Sequence, residues 1–279
     1  MIIGDSFTVG ANVEQREAYP SVLEKLLTQQ VSPTIEVINT GIGGHSPWQY
    51  AQYLEHYGLE FEPDLVVVGF FVGNDVIVDR FSLEQTQTAV MGRRIRREAA
   101  ADPLIETKVF LYENSHIARM YMNLGVPVNI DFRRQACDDF IPIYITIQSR
   151  RLPVHLRTMN ESNADLAAKS IEQIVRMSNL ATANGSELVV VLIPDENQLN
   201  PDLQKQVIEA GTENDYDFSM PQSMLRDAFA IEDIPVIDLL SAFRDDPRCM
   251  YMNETHWTPQ GHDLAAQRIF DGLMKLDIL

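Results

Sequence analysis

The chain has 279 residues, 45% of them hydrophobic and 22% charged, which suits one sizeable core or one domain carrying an insertion. A formal net charge of −18 argues against a nucleic-acid-binding surface, which needs a basic stripe, and against a polyanionic substrate held by general electrostatics. No apolar run approaches the roughly 20 residues of a membrane span. Cys137 and Cys249 have no CxxC or metal-ligand spacing, so two free thiols are expected, with a bridge as the alternative.

A strand is predicted from the first residue, Met1-Ile2-Ile3, so no signal peptide is expected. The strand is short against the usual length of about five to six residues, which leaves room for an earlier natural start. It runs into Gly4-Asp5-Ser6, where a helix should begin. Helix N-terminal amides are unpaired and carry partial positive charge, so an oxyanion forming beside the Ser6 hydroxyl would be stabilised there. The plainer alternative is that Ser6 caps the helix.

A helix is predicted over Tyr19–Gln30, with Val22, Leu23, Leu26 and Leu27 at helical spacing. A second strand, Ile35–Ile38, leads into the glycine-rich loop Gly41-Ile42-Gly43-Gly44, where backbone amides can approach a ligand closely. Leu65–Phe71 is apolar throughout, as strands buried on both faces of a parallel sheet are. It ends in Gly73-Asn74-Asp75, which puts a side-chain amide donor at the same sheet edge.

From about Val78 to Leu156 the alternation of strand and helix breaks, and the segment reads as an insertion, either a cap over the functional end or a passive decoration. It contains Arg93-Arg94-Ile95-Arg96-Arg97, read as a solvated helix face rather than an anion or partner patch. It also contains a predicted helix over Asn114–Asn123 and the run Phe140–Ile147. The rhythm then resumes. A helix over Asn163–Asn184 has Gly185 just past its end, and strands follow at Glu187–Ile193 and Pro235–Leu239. The last helix opens near Thr258-Pro259. Alternating elements predict a doubly wound α/β domain with its site outside the carboxyl ends of the strands.

Just before that last helix lies Asn253-Glu254-Thr255-His256-Trp257-Thr258-Pro259-Gln260-Gly261-His262. With Gly4-Asp5-Ser6, the Asn39–Gly44 loop and Gly73-Asn74, this order of blocks resembles the GDSL/SGNH hydrolase superfamily, everywhere but roughly Val78–Leu156. The resemblance implies a flavodoxin-like three-layer α/β/α sandwich with a central parallel sheet, here one domain, 1–279, with a cap-like insertion at 78–156. It implies Ser6 as nucleophile, His256 as base, and an oxyanion hole formed by the Ser6 and Gly44 amides and the Asn74 side chain.

One position departs from the pattern. The family usually has an aspartate three residues before the histidine, and here that residue is Asn253. Glu254 is the only acid in the loop, so the third triad member is Glu254, Asn253 or no residue, and Glu254 is favoured. Asp5, His45 and Trp48 are candidates for the substrate pocket, with packing as the alternative for Trp48 and for Tyr50. His262 is read as packing or capping within the last helix, and His56, His116 and His155 have no metal-like spacing. No metal or cofactor is expected.

The implied reaction is hydrolysis of short-chain acyl or O-acetyl esters, on a small molecule or a carbohydrate. A carbohydrate O-acyltransferase would use the same residues, and a catalytically impaired binding protein is the alternative from another class, with Asn253 as its support. Neither oligomeric state nor localisation is legible.

Overall fold

The computed structural model describes residues 1–77, 87–90, 93–96, 103–115, 140–210 and 215–278. By backbone contacts the chain divides into two compact units. One comprises Met1–Val78 with Phe132–Leu279, the other Asp79–Asp131.

The larger unit is an α/β fold. In chain order it holds β1 (Ile2–Gly4), α1 (Ser6–Val9), α2 (Tyr19–Gln30), α3 (Pro47–His56), β2 (Leu65–Phe71) and α4 (Val72–Asp75). The smaller unit holds an antiparallel pair, β3 (Gln87–Val90) with β4 (Arg93–Arg96), and α5 (Ile105–Asn114). The larger unit resumes with α6 (Pro142–Ser149), α7 (Glu161–Ala183), β5 (Glu187–Ile193), α8 (Pro201–Ala210), α9 (Met220–Ile231), β6 (Val236–Asp238), α10 (Leu240–Asp245) and α11 (Pro259–Leu276).

Four strands pair in parallel in the order β1-β2-β5-β6, so all their carboxyl ends meet at one edge. The two central strands bury both faces by simple alternation. Val67, Phe71, Val189, Val191 and Ile193 face one core with Leu23 and Leu27 of α2 and Leu264, Ile269 and Leu273 of α11. Val66, Val68, Phe70, Val190 and Leu192 face the other with Leu54 of α3, Ile174 and Met177 of α7, and Phe229 of α9. Each fully buried aliphatic side chain is worth about 1.5–3 kcal/mol, so the continuous apolar runs are explained by two cores rather than one.

Helix ends follow local chemistry. The Asn160 side chain accepts from the Asn163 amide at 2.9 Å and starts α7, and Gly185, at φ 80°, follows its end. Thr258 caps α11 through the Gly261 amide at 3.3 Å.

Three expectations need correction. Ile35–Ile38 is not a strand; pairing with β1 begins at its end, through Ile2 N to Ile38 O at 2.8 Å and Thr40 N to Ile2 O at 2.9 Å. The Val37 amide is engaged instead by the Glu24 carboxylate at 3.0 Å. Arg93–Arg96 is strand rather than helix, paired from Gln87↔Arg96 to Val90↔Arg93, where the β-branched Thr88 and Val90 suit a ladder; Arg97 lies outside the described residues. The described helix here runs over Ile105–Asn114, and 116–123 of the helix expected at Asn114–Asn123 lie outside the described residues. Cys249 is disulfide-bonded rather than free. Cys137 and His116 lie outside the described residues, as does most of 78–139. No described helix is long and apolar enough to cross a membrane.

Candidate active site

The carboxyl edge of the sheet gathers the blocks that were separate in sequence. β1 ends at Gly4, and Asp5, fully buried, caps α1 by accepting from the Phe7 amide at 2.9 Å. The cap is therefore Asp5, and Ser6 is the first residue of α1. This removes the capping alternative for Ser6. The Ser6 hydroxyl lies 2.7 Å from His256 Nε2.

His256 sits in a tight loop before α11. Tyr251 bridges Trp257, Met252 N donates to His256 O at 2.9 Å, and both Glu254 N and Thr255 N reach Met252 O, at 2.6 and 2.9 Å. The loop turns back so sharply that Glu254 meets His256 twice: Oε1 accepts from the His256 amide at 3.2 Å, and Oε2 lies 2.6 Å from Nδ1. Both ring nitrogens are thus engaged, one by Ser6 and one by Glu254. Asn253 is buried in the same loop. The imidazole packs on Phe7, 5.3 Å between centroids, and Phe7 packs on Phe71 at 4.3 Å and Trp257 at 4.9 Å. Aromatic packing around the ring limits its rotation.

The glycine loop leans on α1. The Ile42 amide donates to Gly4 O at 3.0 Å, and the Asn39 side-chain amide donates to Thr8 O at 2.9 Å. A side chain on Gly41 would meet the backbone of Val9 and Thr8, at 2.4 Å from Val9 N. Gly43 approaches Ser6, and Gly44 takes φ 78°, where glycine is the cheap residue.

Asn74, in α4 just past β2, donates from Nδ2 to Asp5 Oδ2 at 3.2 Å. Its Oδ1 is buried with no hydrogen-bond partner. Burial raises the Asp5 pKa above the ordinary aspartate value, opposed by the Phe7 amide, Asn74, His256 and Arg151. Beside Asn74, Asp75 Oδ2 accepts from the Phe71 amide and from Tyr50 Oη, both at 3.0 Å, so Tyr50 is a buried structural residue. Trp48 and His45 are half-buried, in the first turn of α3 and just before it. His262 is buried in α11, where its Nδ1 accepts from the Tyr19 amide at 3.2 Å.

Sequence reasoning missed a buried polar cluster at the carboxyl end of β5. Asp195, Glu196 and Asn197 are buried there with Tyr144 and Gln148 of α6, and Arg151 borders them. Burial opposes ionisation of Asp195, but Arg151 and His155 hold its pKa below the ordinary value. Burial pushes Glu196 up to about 8, against a hydrogen bond from Tyr144. The run Asp195-Glu196-Asn197-Gln198 straight after a strand at the functional edge was the available signal. A neighbouring cavity of about 400 Å³, lined by Glu196, Arg244, Arg248 and Tyr251 among others, does not include Ser6 or His256. No cluster of three or more metal-ligating side chains occurs among the described residues.

A parallel sheet whose carboxyl edge joins a hydroxyl, an imidazole and a carboxylate in hydrogen-bonded series is the architecture of an α/β ester hydrolase. The chain belongs to the GDSL-like lipase/acylhydrolase family, which it matches over residues 2–264. No curated protein matches it by sequence. Among solved structures it is similar to TesA, at 14% identity, covering 99% of this chain and 97% of that one with a TM-score of 0.50. It is equally similar to the acetyl xylan esterase AlAXEase, at 14% identity, covering 97% of this chain and 98% of that one, also at 0.50. At such identity these likenesses speak to the fold.

Proposed function

We propose that this chain is a serine esterase in which Ser6 is the nucleophile, His256 the general base and Glu254 the acid that orients and charges the imidazole. One observation carries the reading: Ser6 Oγ is 2.7 Å from His256 Nε2 while Glu254 Oε2 is 2.6 Å from Nδ1. Nδ1–H held by Glu254 leaves Nε2 with its lone pair toward the hydroxyl.

Ser6 Oγ attacks the ester carbonyl carbon as its proton passes to Nε2, and the carbonyl electron pair moves onto oxygen. The oxyanion meets the amides of Ser6 and Gly44 and the Asn74 Nδ2 hydrogen not committed to Asp5. Collapse expels the alcohol, which takes the proton from Nε2, and water then hydrolyses the acyl-enzyme by the same steps in reverse roles. Glu254 carries the imidazolium through both halves. Asn253, at the position of the family's usual aspartate, supplies no charge, and both ring nitrogens have other partners. Asp5 serves Asn74, and His45 and Trp48, next to the glycine loop, remain pocket candidates.

The substrate class we propose is a short-chain or O-acetyl ester. Its similarity to a solved acetyl xylan esterase makes an acetylated carbohydrate a natural second substrate to assay. The test is p-nitrophenyl acetate turnover by wild type and Ser6→Ala. We expect Ser6-dependent turnover and a loss on the order of 10³ or more in the variant. Equal rates in the two would remove Ser6 from the mechanism.

A further inference from the structure

Thr255 stands between the two residues on which the imidazole depends, and its backbone φ is 88°. A β-branched residue in the left-handed region is a genuine outlier, and it persists only where its surroundings impose it. Here the turn is what lets one carboxylate reach both the amide and Nδ1 of His256. Besides the loop's own backbone bonds, a side-chain contact on Thr255 comes from a residue 104 positions earlier in the chain. Arg151 Nη2 donates to Thr255 Oγ1 at 3.0 Å.

Arg151 is itself pinned on three further sides. Its Nη1 donates to Gln148 Oε1 at 3.1 Å and lies 3.6 Å from Asp195 Oδ1, a fully buried carboxylate. The guanidinium also lies 4.9 Å from the centroid of the Phe71 ring. Phe71 packs on Phe7, and Phe7 on the His256 ring. A planar, forked cation suits this place, because a single ammonium cannot serve Asp195, Gln148 and Thr255 in their fixed directions. None of these contacts is to Ser6 or His256 directly.

We propose that Arg151 is a positioning residue that acts through Thr255, holding the loop in the turn that keeps Glu254 on the imidazole. The inference rests on the roles proposed above for Ser6, Glu254 and His256. The cluster at the end of β5 thereby has a task in the reaction: Asp195 and Gln148 fix the guanidinium, and the guanidinium fixes the loop.

The experiment compares p-nitrophenyl acetate kinetics and thermal unfolding of wild type, Thr255→Val, Thr255→Ser, Arg151→Lys, Arg151→Lys/Thr255→Val and Ser6→Ala. Thr255→Val keeps the shape and deletes the acceptor. It should lower kcat about tenfold or more with KM within about twofold, since misplacing a catalytic group is felt in turnover. Thr255→Ser keeps the hydroxyl and should stay within about threefold of wild type. Arg151→Lys should fall like Thr255→Val, and the double variant should fall no further than the lower single one, because the two changes remove one interaction.

Wild-type kcat in Thr255→Val overturns the proposal, as does a loss in KM alone. So does a serine variant as poor as the valine one, or a double variant whose losses multiply. If Thr255→Val does not fold, Arg151→Lys decides alone: reduced kcat at unchanged KM supports the proposal, and wild-type kcat overturns it. Failure of the underlying roles is seen separately, as undiminished turnover in Ser6→Ala.

Discussion

Glu254 and Asn253 are neighbours in one loop, yet only the Glu254 carboxylate is at hydrogen-bonding distance from the His256 ring, 2.6 Å from Nδ1. Removing its charge while keeping its shape, in Glu254→Gln, should cost on the order of 10³–10⁴ in kcat, because an amide cannot stabilise the imidazolium. Asn253→Ala should cost far less. Equal losses in the two variants, read by ester turnover, would return the third member of the triad to open choice. Asn74 makes a second residue-scale case. Its Nδ2 donates to Asp5, and if it is the oxyanion donor proposed above, deleting the amide in Asn74→Ala should lower kcat by about 10²–10³, the usual worth of one such donor. An unchanged melting temperature distinguishes that loss from unfolding. The residue types were legible in the sequence, since Ser6, Gly44, Asn74, Glu254 and His256 were all candidates from their motifs. Glu254 was favoured over Asn253 as the only acid in the loop, but its distance to the ring was not legible, because adjacent loop residues differ in direction and the loop turns at Thr255, φ 88°.

At the scale of elements, the glycine loop and α1 act as one piece. Gly41 has no room for a Cβ: the nearest atoms would be backbone, Val9 N at 2.4 Å and the Thr8 carbonyl carbon at 2.7 Å. Gly41→Ala should therefore push the loop off α1, destabilise the fold by about 1–3 kcal/mol, and reduce turnover as the Gly44 amide moves. Thermal unfolding and kcat, measured together, check this; a variant unchanged in both would mean that the loop and α1 are not coupled. Helices with apolar stripes were readable in advance, as α2, α7 and α11 show. The segment Ile35–Ile38 was not, because β-branched composition describes a suitable surface while the Val37 amide finds its partner in Glu24, on another element.

For the molecule as a whole, two buried ionisable groups set opposing limits on stability. Glu196 is raised to about 8 in the fold from an ordinary 4.5, so the folded chain keeps a proton that the unfolded chain has released. Stability therefore falls as pH rises from about 4.5 and stops falling, on this account, above about 8. His262 is lowered to about 3 from 6.5, chiefly by burial, so the unfolded chain takes up a proton that the folded one refuses. Stability falls as pH drops from about 6.5 toward 3. The expected profile is a dome whose crest is mildly acidic, measured as unfolding free energy against pH. Glu196→Gln should flatten the alkaline side; an unaltered slope there would show that Glu196 is not its source.

The sequence by itself determined the α/β class and the parallel sheet buried on both faces, and it put forward the candidate site residues, because periodicity and short motifs are local properties of a chain. Only the tertiary structure decided that the Glu254 carboxylate lies against the imidazole, that Asp5 rather than Ser6 caps α1, and that Arg151 reaches the loop of His256. The long-range contacts at this site join residues 104 apart, Arg151 and Thr255, and 250 apart, Ser6 and His256. Their geometry comes from how two cores pack helices against one sheet, which no local pattern encodes.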